Sequence, residues 1–292
     1  MASLFGRTAI LGLGLMGGSL GLALRGSGIA AWVAGYDATP GVAERARARG
    51  AVDEAAKSLS DAVAAADLVV LAVPVLATRE LLRALAAQLA PEMLVTDLGS
   101  TKSEVVAWAN ELLPYPSRFV GGHPMAGSER AGIDAADSAL YRGAVWCLTP
   151  IPGTGTDAIS RLAEMIARLE ATPYMLTPEQ HDRLVAGASH LPLVAAAALV
   201  RTLGASNEWD VMGTLAAGGF RDTTRLASGD PTMARDICLS NGPAIVAWLD
   251  AYMAELARLR ERIVGGDGAI RDDFELAQVL REAWLRRRHQ DT

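Results

Sequence analysis

Gly12-Leu13-Gly14-Leu15-Met16-Gly17-Gly18 follows an apolar run and opens a stretch of helical character at residues 19–25, so its glycines stand where a strand turns into a helix. Each glycine has a separate physical use. The first permits the tight turn, the second lets backbone approach a pyrophosphate, and the third lets helix and strand pack closely, while the helix N-terminus favours negative charge. A bare G-x-G-x-x-G is weak; the strand before it and the helix after it make this one specific. Asp37 ends the next apolar run, 32–37, about 20 residues after the last fingerprint glycine. A carboxylate there binds a ribose 2′-hydroxyl and repels a 2′-phosphate. The expected ligand is NAD rather than NADP, held by Gly12, Gly14, Leu15, Met16, Gly17 and Asp37. The competing readings are a turn and cap without a ligand, or a pocket for another adenosine compound such as S-adenosylmethionine.

Outward from this fingerprint, residues 8–177 alternate apolar runs with helical stretches, the pattern of βα units that build a mostly parallel sheet covered on both faces. Strands are expected at 8–13, 32–37, 68–73, 94–98, 119–121, 144–148 and 173–176. Val73-Pro74, after the third of them, is expected either to border the cofactor as another crevice loop or simply to stop the strand. After Pro178 the strand signals fade into alanine-, leucine- and arginine-rich segments at 179–203, 208–217, 242–264 and 272–288, with a turn region in the middle. The chain is therefore read as a Rossmann-type doubly wound α/β domain over 1–177 and an all-helical domain over 178–292. The helices carry more apolar positions than one buried stripe each requires, so a second subunit is expected to cover some faces, giving a homodimer through the C-terminal domain.

Composition narrows the function. With 292 residues, half of them hydrophobic, the chain can bury a large core, and disorder is excluded. A net charge of -6 argues against a nucleic-acid surface, and Arg286-Arg287-Arg288 reads as a solvated helix end. Cys147 and Cys238 form no CxxC pair, so no metal site or disulfide framework is expected, and a reducing cytoplasm is the simplest location. The apolar N-terminal run 8–24 resembles a signal sequence, but the glycine spacing marks it as fold. The run 184–203 contains His190, Pro192 and Arg201, which suits a buried helix better than a membrane span.

The reacting centre is expected at Gly121-Gly122-His123-Pro124-Met125-Ala126-Gly127-Ser128-Glu129, where glycine and proline stop a short strand at the crevice edge. Of the four histidines, His289 is expected in solvent, His181 on a helix surface, and His190 either packed or touching substrate. His123 is left as the best general base. In Asp97-Leu98-Gly99-Ser100-Thr101-Lys102, Thr101 and Glu104 match a capping box, and Ser100 either orients the imidazole or is a plain turn serine. In Gly218-Gly219-Phe220-Arg221-Asp222-Thr223-Thr224-Arg225 two arginines lie four apart, with an aspartate able to steer one guanidinium. The cluster suits a substrate carboxylate, with a surface ion-pair network as the competing reading.

Taken together, GLGLMGGS, the strand-terminal Asp37, DLGSTK, GGHPMAGSE, SHLP and GGFRDTTRLASGDP resemble the prephenate dehydrogenase family, including its arogenate-using relatives. HPMAGSE combined with GFRDTTR is the specific part, and the motifs occur in the expected order over most of the chain. The resemblance implies a Rossmann domain followed by a helical dimerisation domain and a step in tyrosine biosynthesis: NAD-dependent oxidation of the ring carbinol of prephenate, with decarboxylation, to 4-hydroxyphenylpyruvate. It implies His123 as proton acceptor, Ser100 as its orienting partner, Arg225 as carboxylate ligand steered by Asp222, and His190 as the first histidine of an SHLPH run. The second histidine of that run is Leu193 here, which bears on the choice between prephenate and arogenate. A β-hydroxyacid dehydrogenase is disfavoured because the C-terminal half has no lysine, and a non-catalytic NAD sensor because a histidine, serine and arginine set is retained. No βαββαβ regulatory segment is read after the helices, so any feedback is expected at the substrate site.

Overall fold

The computed structural model describes residues 2–290, with side chains through Arg287. The side chains of Arg288 and His289, and with them the expectation that His289 is solvated, lie outside the described residues. The chain packs as two compact units, one through Gly242 and one from Pro243.

The first unit is built on an eight-stranded sheet: β1 (Phe5–Leu11), β2 (Ala30–Tyr36), β3 (Glu54–Ala55), β4 (Leu68–Leu71), β5 (Leu94–Asp97), β6 (Phe119–Pro124), β7 (Val145–Thr149) and β8 (Thr172–Met175). Their order is β3-β2-β1-β4-β5-β6-β7-β8. All pairs are parallel except β6 with β7. The first six strands follow the doubly wound dinucleotide-binding order, with its switch point between β1 and β4. The central strand β4, as Leu-Val-Val-Leu, is apolar and buried at every position, as expected where helices cover both faces. Two-residue β3 escapes the sequence reading because Glu54-Ala55 has neither apolar alternation nor length.

Helices α1 (Leu15–Gly26), α2 (Val42–Ala48), α3 (Leu59–Val63), α4 (Val75–Leu85), α5 (Ser103–Leu112) and α6 (Thr156–Arg168) cover the sheet. The sheet ends at Met175, and beyond it come α7 (Pro178–Val185), a π-helical turn at Ala186–His190, α8 (Leu191–Gly204), α9 (Trp209–Leu215), α10 (Gly218–Thr224) and α11 (Pro231–Ser240). Position 177/178 thus marks the change from sheet to helices, whereas α7 packs on α5 and α11 on α4 within the same compact unit. Helix α11 occupies what the sequence reads as a turn region. Asp230 caps it by accepting hydrogen bonds from the Thr232 and Met233 amides, and Pro231 sets its first position, a start signal that was present in the chain. The helical stretch 178–204 is long and apolar enough to cross a membrane by length and composition. It nevertheless carries buried His181, Asp182 and His190 toward the sheet unit, a use that a lipid-facing segment does not allow.

The second unit is a helical hairpin of α12 (Gly242–Gly265) and α13 (Ile270–Gln290). Gly266 takes the left-handed conformation that ends α12, and Arg258 joins the helices by an ion pair to Asp273 at 2.9 Å. Arg286 and Arg287 are exposed, as expected for a solvated helix end.

Candidate active site

The fingerprint glycines fall into two physical classes. Gly12 has φ +96, and a Cβ on it would lie 2.4 Å from the Ala72 carbonyl oxygen; one on Gly17 would lie 1.9 Å from the Gly12 carbonyl oxygen. These two let the loop, strand and helix touch. A Cβ on Gly14 would meet nothing within 4 Å, so the second glycine faces open space at the start of α1. No side chain caps this N-terminus and no acidic residue lies in its first turn, so its amides are available to an anion. Helix α1 starts at Leu15, four residues before the expected start, and the Tyr141 hydroxyl donates to the Met16 carbonyl at 2.6 Å. Asp37 accepts from the Leu13 amide at 2.8 Å and from the Thr39 amide at 2.8 Å, tying the loop to the end of β2. A carboxylate offers about four acceptor sites, so capacity remains for a ribose hydroxyl. Val73 and Pro74 follow β4 at the same sheet edge, Pro74 being exposed. Loop, helix terminus and carboxylate together fit a dinucleotide.

His123 comes from the end of β6, on the same edge of the sheet. Its two preceding glycines are dictated by contact: a Cβ on Gly121 would meet Thr149 Oγ1 at 2.4 Å, and one on Gly122 the Asp97 carbonyl oxygen at 2.6 Å. Asp97 accepts from the Gly122 amide at 3.0 Å and the Gly99 amide at 2.8 Å, and also binds the ammonium of Lys102. Both members of that ion pair are fully buried.

His123 Nδ1 lies 2.8 Å from His181 Nε2, and His181 Nδ1 lies 2.8 Å from Asp182 Oδ1. Asp182 also accepts from the Lys102 amide at 2.7 Å and the Ser103 amide at 2.8 Å. Burial lowers His123 well below the ordinary imidazole value, with His181, Lys102 and His190 adding to the effect. Burial also lowers His181, against the pull of Asp182. Burial pushes Asp182 up, but the hydrogen bonds from His181, Ser103 and Lys102 outweigh it and hold the carboxyl below its usual value.

Three expectations are corrected here. His181 is fully buried rather than on the surface, because it shares the inward stripe of α7 with Pro178, Asp182 and Val185. The hydrogen bond that fixes the His123 ring is the one between its Nδ1 and His181 Nε2, and Ser100, partly exposed at the end of the β5 loop, makes none with it. The capping box at Thr101 and Glu104 does not form, since Thr101 Oγ1 bonds to Ser240 Oγ at 2.8 Å and Asp182 caps α5 from another helix.

The arginine cluster also differs. Asp222 pairs with its neighbour Arg221 at 3.0 Å, both well exposed, while Arg225 pairs with Glu129 at 3.1 Å. Arg225 begins a 3-10 turn after α10, and its head reaches across to the loop that follows His123. Asp222 therefore does not steer Arg225; Glu129, six residues beyond His123, does. His190 ends the π-helical turn and is buried, with burial taking its ring down to about 4 against the pull of Asp182. The Asn241 amide donates to the Asp182 carbonyl at 2.8 Å and lies 3.2 Å from His190 Nδ1, and the Ser100 backbone also favours the charged form of the His190 ring. A π-helical turn beside a functional side chain is a recurrent way to re-aim it. Among the described residues no group of three metal-ligating side chains is found.

Comparison with known proteins agrees with this geometry. Residues 20–175 match the model for the prephenate dehydrogenase nucleotide-binding domain, and residues 177–282 the model for the prephenate dehydrogenase dimerization domain. The chain is 38% identical over 253 residues to a prephenate dehydrogenase of Bacillus subtilis, covering 86% of this chain and 68% of that one. It is 35% identical to a cyclohexadienyl dehydrogenase of Zymomonas mobilis over 96% of this chain and 97% of that one. Among solved structures, prephenate dehydrogenase from A. aeolicus in complex with hydroxyphenyl propionate and NAD+ superposes with a TM-score of 0.88 at 33% identity, covering 95% of this chain and 98% of that one. The match of both domain models, on a fold that brings a glycine loop and a buried histidine to one sheet edge, shows that the chain belongs to the prephenate dehydrogenase family.

Proposed function

We propose that the protein is an NAD-dependent prephenate dehydrogenase, with His123 as general base. The observation that carries this reading is a buried histidine, kept uncharged by its surroundings, on the sheet edge that also bears the fingerprint loop. A dinucleotide would be held by Gly12, Gly14, Leu15, Met16, Gly17 and Asp37, bordered by Val73 and Pro74, and when bound would supply the acceptor for the hydride leaving the ring carbinol. His123 takes the hydroxyl proton as that carbon is oxidised. The ring carboxylate leaves as carbon dioxide, its bonding pair completes the aromatic ring, and the phenolate oxygen recovers a proton. Ser100, in the loop after β5 at the same edge, offers its hydroxyl to the substrate. His190, buried at the end of the π-helical turn, contacts substrate, and Arg225, with Arg221 and Asp222 on the same segment, receives a carboxylate.

Arogenate is the second reading, left open by Leu193 standing where the family's SHLPH run has its second histidine. Steady-state NADH formation with prephenate and with arogenate tests both; no turnover of either rejects the reading. With NADP in place of NAD, catalytic efficiency should fall, because the Asp37 carboxylate repels a 2′-phosphate.

Arg225→Ala is expected to raise KM by about tenfold or more, the size of a lost charge-assisted hydrogen bond, with kcat changing less. An unchanged KM would remove Arg225 from substrate binding.

We further propose that residues 1–177 form the NAD-binding domain and 178–292 the substrate-binding and dimerisation domain of a cytoplasmic homodimer. The support is the apolar surface of the C-terminal hairpin, where Ile263, Val264, Phe274, Leu276, Val279 and Leu280 are all more than half exposed in the single chain. Sedimentation at micromolar concentration should give a dimer; a monomer refutes this arrangement.

A further inference from the structure

We propose that Asp182 and His181 are positioning residues that dictate the tautomer of His123, leaving its Nε2 as the bare lone pair at the reacting centre. The proposal rests on His123 being the proton acceptor, and it adds what makes that possible. Asp182 is ionised and acceptor-only, and it already receives the Lys102 and Ser103 amides, so the proton in its 2.8 Å contact with His181 belongs to His181 Nδ1. A neutral imidazole carries one N–H, so His181 Nε2 is then an acceptor. Nε2 lies 2.8 Å from His123 Nδ1, and the bond between them requires the proton to sit on His123 Nδ1. The neutral His123 ring therefore has no proton on Nε2.

The same polarity serves the charged state. When Nε2 takes a proton, the imidazolium keeps its Nδ1–H directed at His181, with the Asp182 carboxylate behind it. The other titratable groups around the ring are Lys102, paired with Asp97, His190 on the π-helical turn, and Cys147, opposite His123 on β7. None of these is placed in hydrogen-bond contact with His123 Nδ1, so the tautomer is set by His181 alone. The arrangement resembles a hydrolase triad in which a carboxylate fixes the imidazole tautomer, here with a second imidazole interposed.

The test uses the intact enzyme with its histidines labelled with nitrogen-15, read by ring-nitrogen chemical shifts alongside kcat and KM. The wild type should show His123 protonated at Nδ1 and unprotonated at Nε2. His181→Leu removes the acceptor and should lower kcat by about 10²-fold with little change in KM, the size of a misplaced general base. His181→Gln, whose amide can donate toward Asp182 and accept from His123, should recover most of that loss and retain the Nδ1–H form. Asp182→Asn removes the charge that holds the proton on His181 Nδ1 and should reduce the share of His123 in the Nδ1–H form. A wild-type His123 protonated at Nε2, or a His181→Leu enzyme with normal kcat, overturns the relay. If instead the wild type shows the Nδ1–H form while His123→Asn turns over normally, the relay stands and the general-base reading fails, so the two are separable.

Discussion

His123→Asn is expected to lower kcat by ~10²-fold or more while KM for the cyclohexadienol changes only a few-fold, because general-base assistance acts in the transition state and not in substrate binding. Asparagine can still donate an N–H toward His181 Nε2, so the network behind the ring is the part best preserved and the missing Nε2 lone pair is the part lost. The pH dependence gives a second handle. A base works only when unprotonated, so kcat/KM falls as pH drops through its pKa in the free enzyme. Burial, His181, Lys102 and His190 all depress that pKa, so the acid limb should lie below the ordinary imidazole value of about 6.5. In His123→Asn that limb should disappear. Normal turnover in this variant, or an acid limb retained at the same pH, would take His123 out of the mechanism.

The parts of this site that could be read in the chain are those whose cause is local. Gly17 is set by contact with Gly12 inside one turn, and His123 is placed by the strand that ends beside it. What could not be read depends on approach over long sequence distances. His181 meets His123 across 58 residues, and Arg225 meets Glu129 across 96. Asp182 caps a helix that begins 79 residues earlier, displacing the local capping box that Thr101 and Glu104 spell out. A tertiary contact that satisfies the same amides overrides a local propensity. A signal for the buried pair did exist. Pro178, His181, Asp182 and Val185 fall at the spacing of one helical stripe, so that two titratable side chains share the face that packs inward. A His-Asp pair on such a stripe points to a satisfied buried network, and reading His181 by its neighbour alone missed it.

Lys102→Met should be the most damaging substitution for stability that leaves His123 and its hydrogen-bond partners in place. The Lys102 side chain is fully buried and its ammonium binds Asp97, which is itself buried and anchored by the Gly99 and Gly122 amides. Removing the cation leaves an uncompensated charge beneath the loop that carries Ser100 and against the strand that carries His123. Breaking one partner of such a pair costs about 3–5 kcal/mol, whereas replacing both by neutral groups of similar size is often close to neutral. Chemical denaturation should therefore show a large loss for Lys102→Met alone and a substantial recovery when Asp97→Asn is added, since asparagine can still accept one of the two amides. The charge change also has a predicted sign at the base: Lys102 contributes to the depression of His123, so whatever activity Lys102→Met retains should show its acid limb moved to higher pH. A single variant as stable as the parent, or a double variant no better than the single, would mean that this buried pair does not set the stability of the sheet edge on which the chemistry is built.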